Sequence, residues 1–177
     1  MYVIKNQLAF IAHPRVASRA TKRAFLAAGA VRHASHHKID ERQVREVLGR
    51  HGIVCCSVRN MFDVVVSWYH NCNPDELKSR IEFPAFVKQI INEPERHRYF
   101  STSQYFYGLP YCNRVFRYET LQQDVNQALQ DIGKPPFQLE VVGQSNRKPY
   151  QEYYNNTTRR MIENRWGRDL EQTGYEF

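Results

Sequence analysis

The sequence predicts an α/β fold: a three-layer α/β/α arrangement on a mostly parallel sheet of about four to five strands, with helices on both faces. Three observations predict it. Strand-like and helix-like stretches alternate along most of the chain, as strands joined by crossover helices require. One stretch, Ile53-Val-Cys-Cys-Ser-Val58, is apolar along nearly its whole length, the pattern of a central strand covered on both faces. The intervening helical stretches carry their apolar residues on one stripe.

In chain order, Leu8 to Ala12 is a short apolar run stopped by His13-Pro14, which reads as a buried strand entering a loop. Ala17 to Ala28 is rich in helix formers and closes at Gly29, a fitting C-cap. Val31 to Ile39 reads as a second extended segment. Asp40 then caps a helix reaching Gly49, with Val44, Val47 and Leu48 on one face. After the strand Ile53–Val58, Asn60 caps a helix from Met61 to His70, and Cys72-Asn-Pro-Asp75 breaks it with turn chemistry. Phe83 to Ile91 and Ser101 to Tyr107 read as short helices. Val115 to Tyr118 is a fourth strand. A helix from Thr120 to Ile132 follows, with Leu121, Val125, Leu129 and Ile132 on one stripe and Gly133 and Pro135 ending it. The tail, Gln144 to Phe177, holds Tyr150, Tyr153 and Tyr154 ahead of a basic helix from Thr157 to Arg168. Its aromatic content predicts that it packs against the core.

A length of 177 residues suits one domain, so residues 1–177 are expected to form a single compact unit. Hydrophobic residues at 42% and charged residues at 24% match globular composition, and no apolar run approaches the ~20 residues of a membrane span. The run Leu8–Ala12 is too brief for a signal-peptide core. The cysteines, Cys55, Cys56, Cys72 and Cys112, form neither a metal knuckle nor a disulfide framework, so reduced thiols and a cytoplasmic setting are expected. Charge is unevenly placed. Residues 1–60 hold 11 Lys and Arg against 3 Asp and Glu, while residues 61–177 hold 14 against 15. That concentration predicts an anionic ligand, either nucleic acid or a phosphate-bearing small molecule.

Two constellations carry the chemistry. His13-Pro-Arg-Val-Ala-Ser-Arg-Ala-Thr21 lies between the first strand and the first helix, where unpaired N–H groups and the helix dipole favour an anion and Arg15, Ser18, Arg19 and Thr21 add donors. It lacks GxxxxGK[ST], the loop of Mg²⁺-dependent nucleoside triphosphatases. The second is Ser57-Val-Arg-Asn-Met-Phe-Asp-Val-Val-Val-Ser-Trp-Tyr-His70, with Arg59 just past the apolar strand and Ser67 two turns down the next helix.

Ser57–His70 resembles the 3′-phosphate-binding segment of the sulfotransferases that use 3′-phosphoadenosine 5′-phosphosulfate (PAPS). Arg59, Asn60, Asp63, Ser67 and Tyr69 match its pattern, and Met61 stands in its proline place. Val115-Phe-Arg-Tyr-Glu-Thr-Leu121 with Asp124 and Gly133, then Asn146-Arg-Lys-Pro-Tyr150 with Tyr153, Tyr154 and Asp169 to Tyr175, resemble later segments of the same family in order. The resemblance implies a P-loop-like fold and transfer of a sulfuryl group from PAPS, leaving the product PAP, to a hydroxyl or amine of an acceptor. A carbohydrate or a small metabolite fits that class. It implies that Arg15, Val16, Ala17, Ser18, Arg19, Ala20 and Thr21 hold the 5′-phosphosulfate, with Arg15 where the family usually has the catalytic lysine. Arg59 and Ser67 would then hold the 3′-phosphate, with Arg147 and Lys148 folded over the nucleotide. The family's general base, His or Glu, follows the second strand. Here that region is Val31-Arg-His-Ala-Ser-His-His37, giving His36 or His37 as the base and His33 in reserve. No metal is expected.

Three other readings compete. A P-loop-like nucleotide kinase shares the element order but needs the missing lysine loop. A nucleic-acid-binding module fits an isoelectric point near 9.3 and the interleaved Tyr and Arg of the tail, and is the less favoured. A non-catalytic sulfotransferase-like fold is suggested by Arg15 replacing lysine.

Overall fold

Five strands form one open mixed sheet in a computed structural model that describes residues 1–33, 41–49, 51–71, 81–93, 111–140 and 146–177. They are β1 (Tyr2–Ile4), β2 (Leu8–Ile11), β3 (Val31–Arg32), β4 (Ile53–Val58) and β5 (Arg114–Arg117), in the order β3-β1-β2-β4-β5. The expected parallel pairing holds for β2 with β4 (Phe10 opposite Cys55) and for β4 with β5 (Ser57 opposite Phe116). The other two pairings are antiparallel, β1 with β2 and β1 with β3, so the sheet is mixed. β1 is an addition to the sequence reading. Its three residues precede a turn at Lys5-Asn6-Gln7 in which Asn6 takes φ 61°, a left-handed conformation that asparagine tolerates.

Residue contacts divide the chain into two units, Met1–Val58 with Phe106–Val142 and Arg59–Tyr105 with Gly143–Phe177. The first contains the sheet with helices α1 (Ser18–Ala27), α2 (Glu41–Leu48) and, late in the chain, Leu121–Asp131. β4 is buried from Val54 to Val58, as its apolar run predicts. Phe25 of α1 is fully buried, its ring 5.3 Å from that of Phe10 and 6.2 Å from that of Phe116. Each such aromatic contributes about 1.5–3 kcal/mol by leaving water. The helix then stops at Gly29, whose φ of 97° lets the N–H of Ala30 reach the Phe25 carbonyl at 2.8 Å. Leu121, Val125 and Leu129 line the buried stripe of the helix Leu121–Asp131, with Ile132 partly buried beside it.

The second unit contains α3 (Met61–Asn71) and α4 (Phe83–Asn92). With the helix Leu121–Asp131 as α5, the last helix, α6 (Asn156–Thr173), also belongs here. α3 begins where Asn60 Oδ1 accepts the Phe62 N–H at 3.1 Å, the cap expected from sequence. It is apolar all round, with Met61, Phe62, Val64, Val65 and Val66 buried, so neighbours must cover it. α6 and α4 pack together and both meet α3. α6 opens on a capping box in which Asn155 and Thr158 satisfy each other's backbone. It runs past the expected end at Arg168, bends at Trp166 (φ −122°, ψ 24°) and stops at Gly174. Gly174 has φ 65° and ends the helix with the Tyr175 N–H on the Leu170 carbonyl at 3.1 Å. Among the described residues no helix is long and apolar enough to cross a membrane. The expected turn Cys72–Asp75, the helix Ser101–Tyr107 and most of the extended segment Val31–Ile39 lie outside the described residues.

Candidate functional site

In the first unit the chain leaves β2, passes buried His13 and turns into α1 through Pro14 to Ala17. Two of these turn residues lie in the left-handed region, Arg15 at φ 64° and Ala17 at φ 57°, ψ 21°. Neither is a glycine, so the turn stores backbone strain of about 1–3 kcal/mol per residue. Ala17 is the N-cap of α1 and offers no capping side chain. Its carbonyl accepts from the N–H groups of Ala20 (3.0 Å) and Thr21 (3.2 Å). Among the described residues no side-chain bond caps the first N–H groups of the helix, at its positive end. Val16 and Ala20 are buried, Ser18 and Arg15 half-buried, Arg19 exposed. Thr21 is fully buried and its hydroxyl donates to the Ala17 carbonyl at 3.3 Å, bracing the turn from inside the helix.

The second unit holds a tighter cluster. Arg59 grips Asp63 one helical turn later, Nε donating to Oδ2 at 2.6 Å and Nη2 lying 2.5 Å from the same oxygen. Arg147 donates from Nη2 to Oδ1 of the same carboxylate at 2.5 Å. Two guanidiniums therefore share one carboxylate. The side chains of Arg59 and Arg147 are each 11% exposed and that of Asp63 18%, so all three charges are held mostly out of water. Arg147 Nη1 is buried and has no hydrogen-bond partner among the described residues. Ser67, 6% exposed, follows Asp63 by four residues and so lies on the same face of α3.

The segment that delivers Arg147 is pinned to the first turn of α3. Asn60 Nδ2 donates to the Tyr150 hydroxyl at 3.1 Å and to the Glu176 carbonyl at 2.7 Å, and the Tyr154 hydroxyl donates to the Phe62 carbonyl at 2.9 Å. The rings of Tyr154 and Phe177 meet Phe62 edge-on at 5.3 and 4.9 Å, and Tyr150 stacks on it at 6.3 Å. Burial pushes the Tyr154 phenol well above its ordinary range, and the nearby Asp63 carboxylate adds to the shift. Lys148 behaves differently: it is exposed, with Nζ 3.3 Å from Glu152.

No family model matches the chain, and no curated protein matches it. Its candidate site stands on geometry and on the pattern in the sequence.

Of the residues singled out from sequence, the structure brings Arg59 and Arg147 together on Asp63, with Ser67 one turn further along α3, all in the second unit. Arg15 to Thr21 occupy one continuous turn and helix start in the first. His33 is exposed and its N–H donates to the Met1 carbonyl at 3.0 Å. His36 and His37 lie outside the described residues. Asp63 was legible only as a member of a pattern and Asn60 also as a helix cap, yet together they organise the second unit's cluster. The signal for Asp63 was present, since a carboxylate four residues after Arg59 on one helix face forms an ion pair.

A third cluster was not anticipated. Cys56 of β4 is fully buried and hydrogen-bonds with Cys112 and His13. The Cys112 bond, aided by His13 and opposed by burial, brings the Cys56 thiol down to about 6, and the same bond raises that of Cys112. Cys55, on the opposite face of β4, is raised by burial. Among the described residues, no group of three His, Cys, Asp or Glu side chains is arranged to hold a metal ion.

Proposed function

We propose that this protein is a PAPS-dependent sulfotransferase with a P-loop-like α/β scaffold, moving a sulfuryl group to a hydroxyl or amine of a carbohydrate or small-metabolite acceptor. The observation that carries the reading is the pair of guanidiniums on Asp63. A mostly buried guanidinium carries a desolvation cost that a bound anion offsets, and Arg147 shares the one described carboxylate it meets with Arg59. The orphaned Nη1 of Arg147 fits a phosphate ester, which offers several acceptor oxygens to a guanidinium fork.

In this reading Arg59, Arg147 and Ser67 hold the 3′-phosphate, with Lys148 at the rim. Residues 15–21 hold the 5′-phosphosulfate through backbone N–H groups and the charge of Arg15 and Arg19. PAPS supplies an activated sulfuryl group, and fixed cations and N–H donors stabilise charge on its oxygens without a metal. Arg15 sits on the strained turn, where its backbone is fixed. His36 or His37, with His33 in reserve, takes the acceptor proton. The free thiols Cys55, Cys56 and Cys112 suit a reduced, cytoplasmic setting. Low exposure of Arg59 and Arg147 favours a small ligand over a nucleic-acid strand, whose phosphates are tracked by exposed cations.

Calorimetry with adenosine 3′,5′-bisphosphate, the transfer product, tests the reading. Saturable binding without Mg²⁺ is expected, and Arg59→Ala should weaken it by about 1.5–3 kcal/mol, roughly 10- to 150-fold, the worth of a hydrogen bond to a charged group. Unchanged affinity in Arg59→Ala, or binding only of ATP with Mg²⁺, would overturn it.

A further inference from the structure

We infer that Asp63 is a positioning residue for the 3′-phosphate: a carboxylate that strengthens the binding of an anion by holding two arginines ready for it. The inference rests on the proposed nucleotide reading and goes beyond it, because an acidic side chain at an anion site is, on charge alone, unfavourable.

Asp63 uses its two oxygens separately, Oδ2 for Arg59 and Oδ1 for Arg147. The two arginines come from the two separate segments of the second unit's sequence, 84 residues separating Arg147 from Asp63. Arg59 precedes the first turn of α3, and Arg147 lies in the segment held by Tyr150 and Tyr154. No described side chain other than Asp63 bridges them. Arg147 keeps a donor beyond the one spent on Asp63, since a guanidinium has five N–H groups and its buried Nη1 has no hydrogen-bond partner among the described residues. Without the carboxylate two flexible, mutually repelling side chains would have to be ordered when the anion arrives, and that ordering would be subtracted from affinity.

Charge and positioning predict opposite signs, which makes the test decisive. Asp63→Asn keeps the shape and removes the charge. If Asp63 only dilutes the positive potential, adenosine 3′,5′-bisphosphate binds the variant more tightly. If it positions the arginines, binding weakens by about tenfold, while adenosine 5′-phosphate, which lacks the 3′-phosphate, binds as before. Asp63→Glu restores part of the loss by returning a carboxylate. Unchanged or tighter bisphosphate binding in Asp63→Asn overturns the inference, and so does an equal loss for both ligands, which would mark a merely structural role. Arg147→Lys tests the same contact with the carboxylate left in place, should Asp63→Asn fail to fold. It keeps the charge but not the fork and should show the same loss confined to the bisphosphate; no loss overturns the inference. The wild type separates this from the parent reading, for a wild type that does not prefer the bisphosphate over the monophosphate removes the nucleotide assignment itself.

Discussion

Asn60→Ala should destabilise the second unit by about 3 kcal/mol. The side chain is 7% exposed and fully employed. Its Oδ1 caps α3 by accepting the Phe62 N–H, a bond worth about 1 kcal/mol. Its Nδ2 donates to the Tyr150 hydroxyl and to the Glu176 carbonyl, each worth about 1 kcal/mol, with the carbonyl left short of a donor on truncation. Urea unfolding followed by tryptophan fluorescence reads the right part of the molecule, because the only tryptophans, Trp68 and Trp166, both belong to the second unit. Asn60→Ser divides the total: serine still caps a helix but is too short to reach the tail, so about 2 kcal/mol of the loss should remain as the tail's share. A loss below about 1 kcal/mol in Asn60→Ala would refute the reasoning, since the tail would then be held without this amide.

Asp169 gives a pH signature. Burial pushes its carboxyl from 3.8 up to about 6, with Arg165 pulling weakly the other way, and Oδ2 has no partner among the described residues. The folded state thus binds the proton more tightly than the unfolded one, so this group's contribution is fully present below pH ~4 and lost as pH rises through ~6. Asp169→Asn should gain up to about 3 kcal/mol at pH 7 and nothing at pH 4; equal stability of the two proteins at both values, by urea unfolding, would contradict this. For Cys56, thiolate ultraviolet absorbance should titrate below the ordinary thiol range, its hydrogen bond with Cys112 first and that with His13 next drawing it down. Cys112→Ala should move that midpoint upward, and an unmoved midpoint would assign the shift to another neighbour.

What the sequence revealed, and what it hid, follows from the range of the forces involved. Ile53–Val58, the Asn60 cap and the glycine stops at Gly29 and Gly133 were legible because each depends on neighbours within a few residues. β1 was missed because three residues give no period to read, although the Asn6 turn between two apolar runs was a hairpin signal. The end of α6 was placed early because Trp166 to Asp169 break the apolar pattern, while the helix continues through a bend. Arg59, Asp63 and Ser67 share a helix face by spacing alone. The Arg147 contact joins residues 84 positions apart, and only folding could show that it lands on the same carboxylate as Arg59.

The distribution of broken local rules bears on the functional reading. Most described helix ends obey the rules: α3 and α6 start on asparagine caps, and Gly29, Gly133 and Gly174 take left-handed turns that suit glycine. α1 is different. Its cap is an alanine with no side-chain bond to the first N–H groups, as at α4 and α5, but its entry turn alone among the described helix starts puts non-glycine residues, Arg15 and Ala17, where glycine would be at ease. A chain able to place Asn at two other helix starts could have placed one here, and a capping oxygen would compete with an anion for those N–H groups. The Asp63 carboxylate, shared by two mostly buried guanidiniums, is a departure of the same kind. Asp169 and the bend at Trp166 form a third, which the nucleotide reading does not use. Two of the three costliest departures therefore fall in the two segments that the sequence pattern singles out for phosphate groups, which is where a protein stable without them would retain strain if binding offsets it.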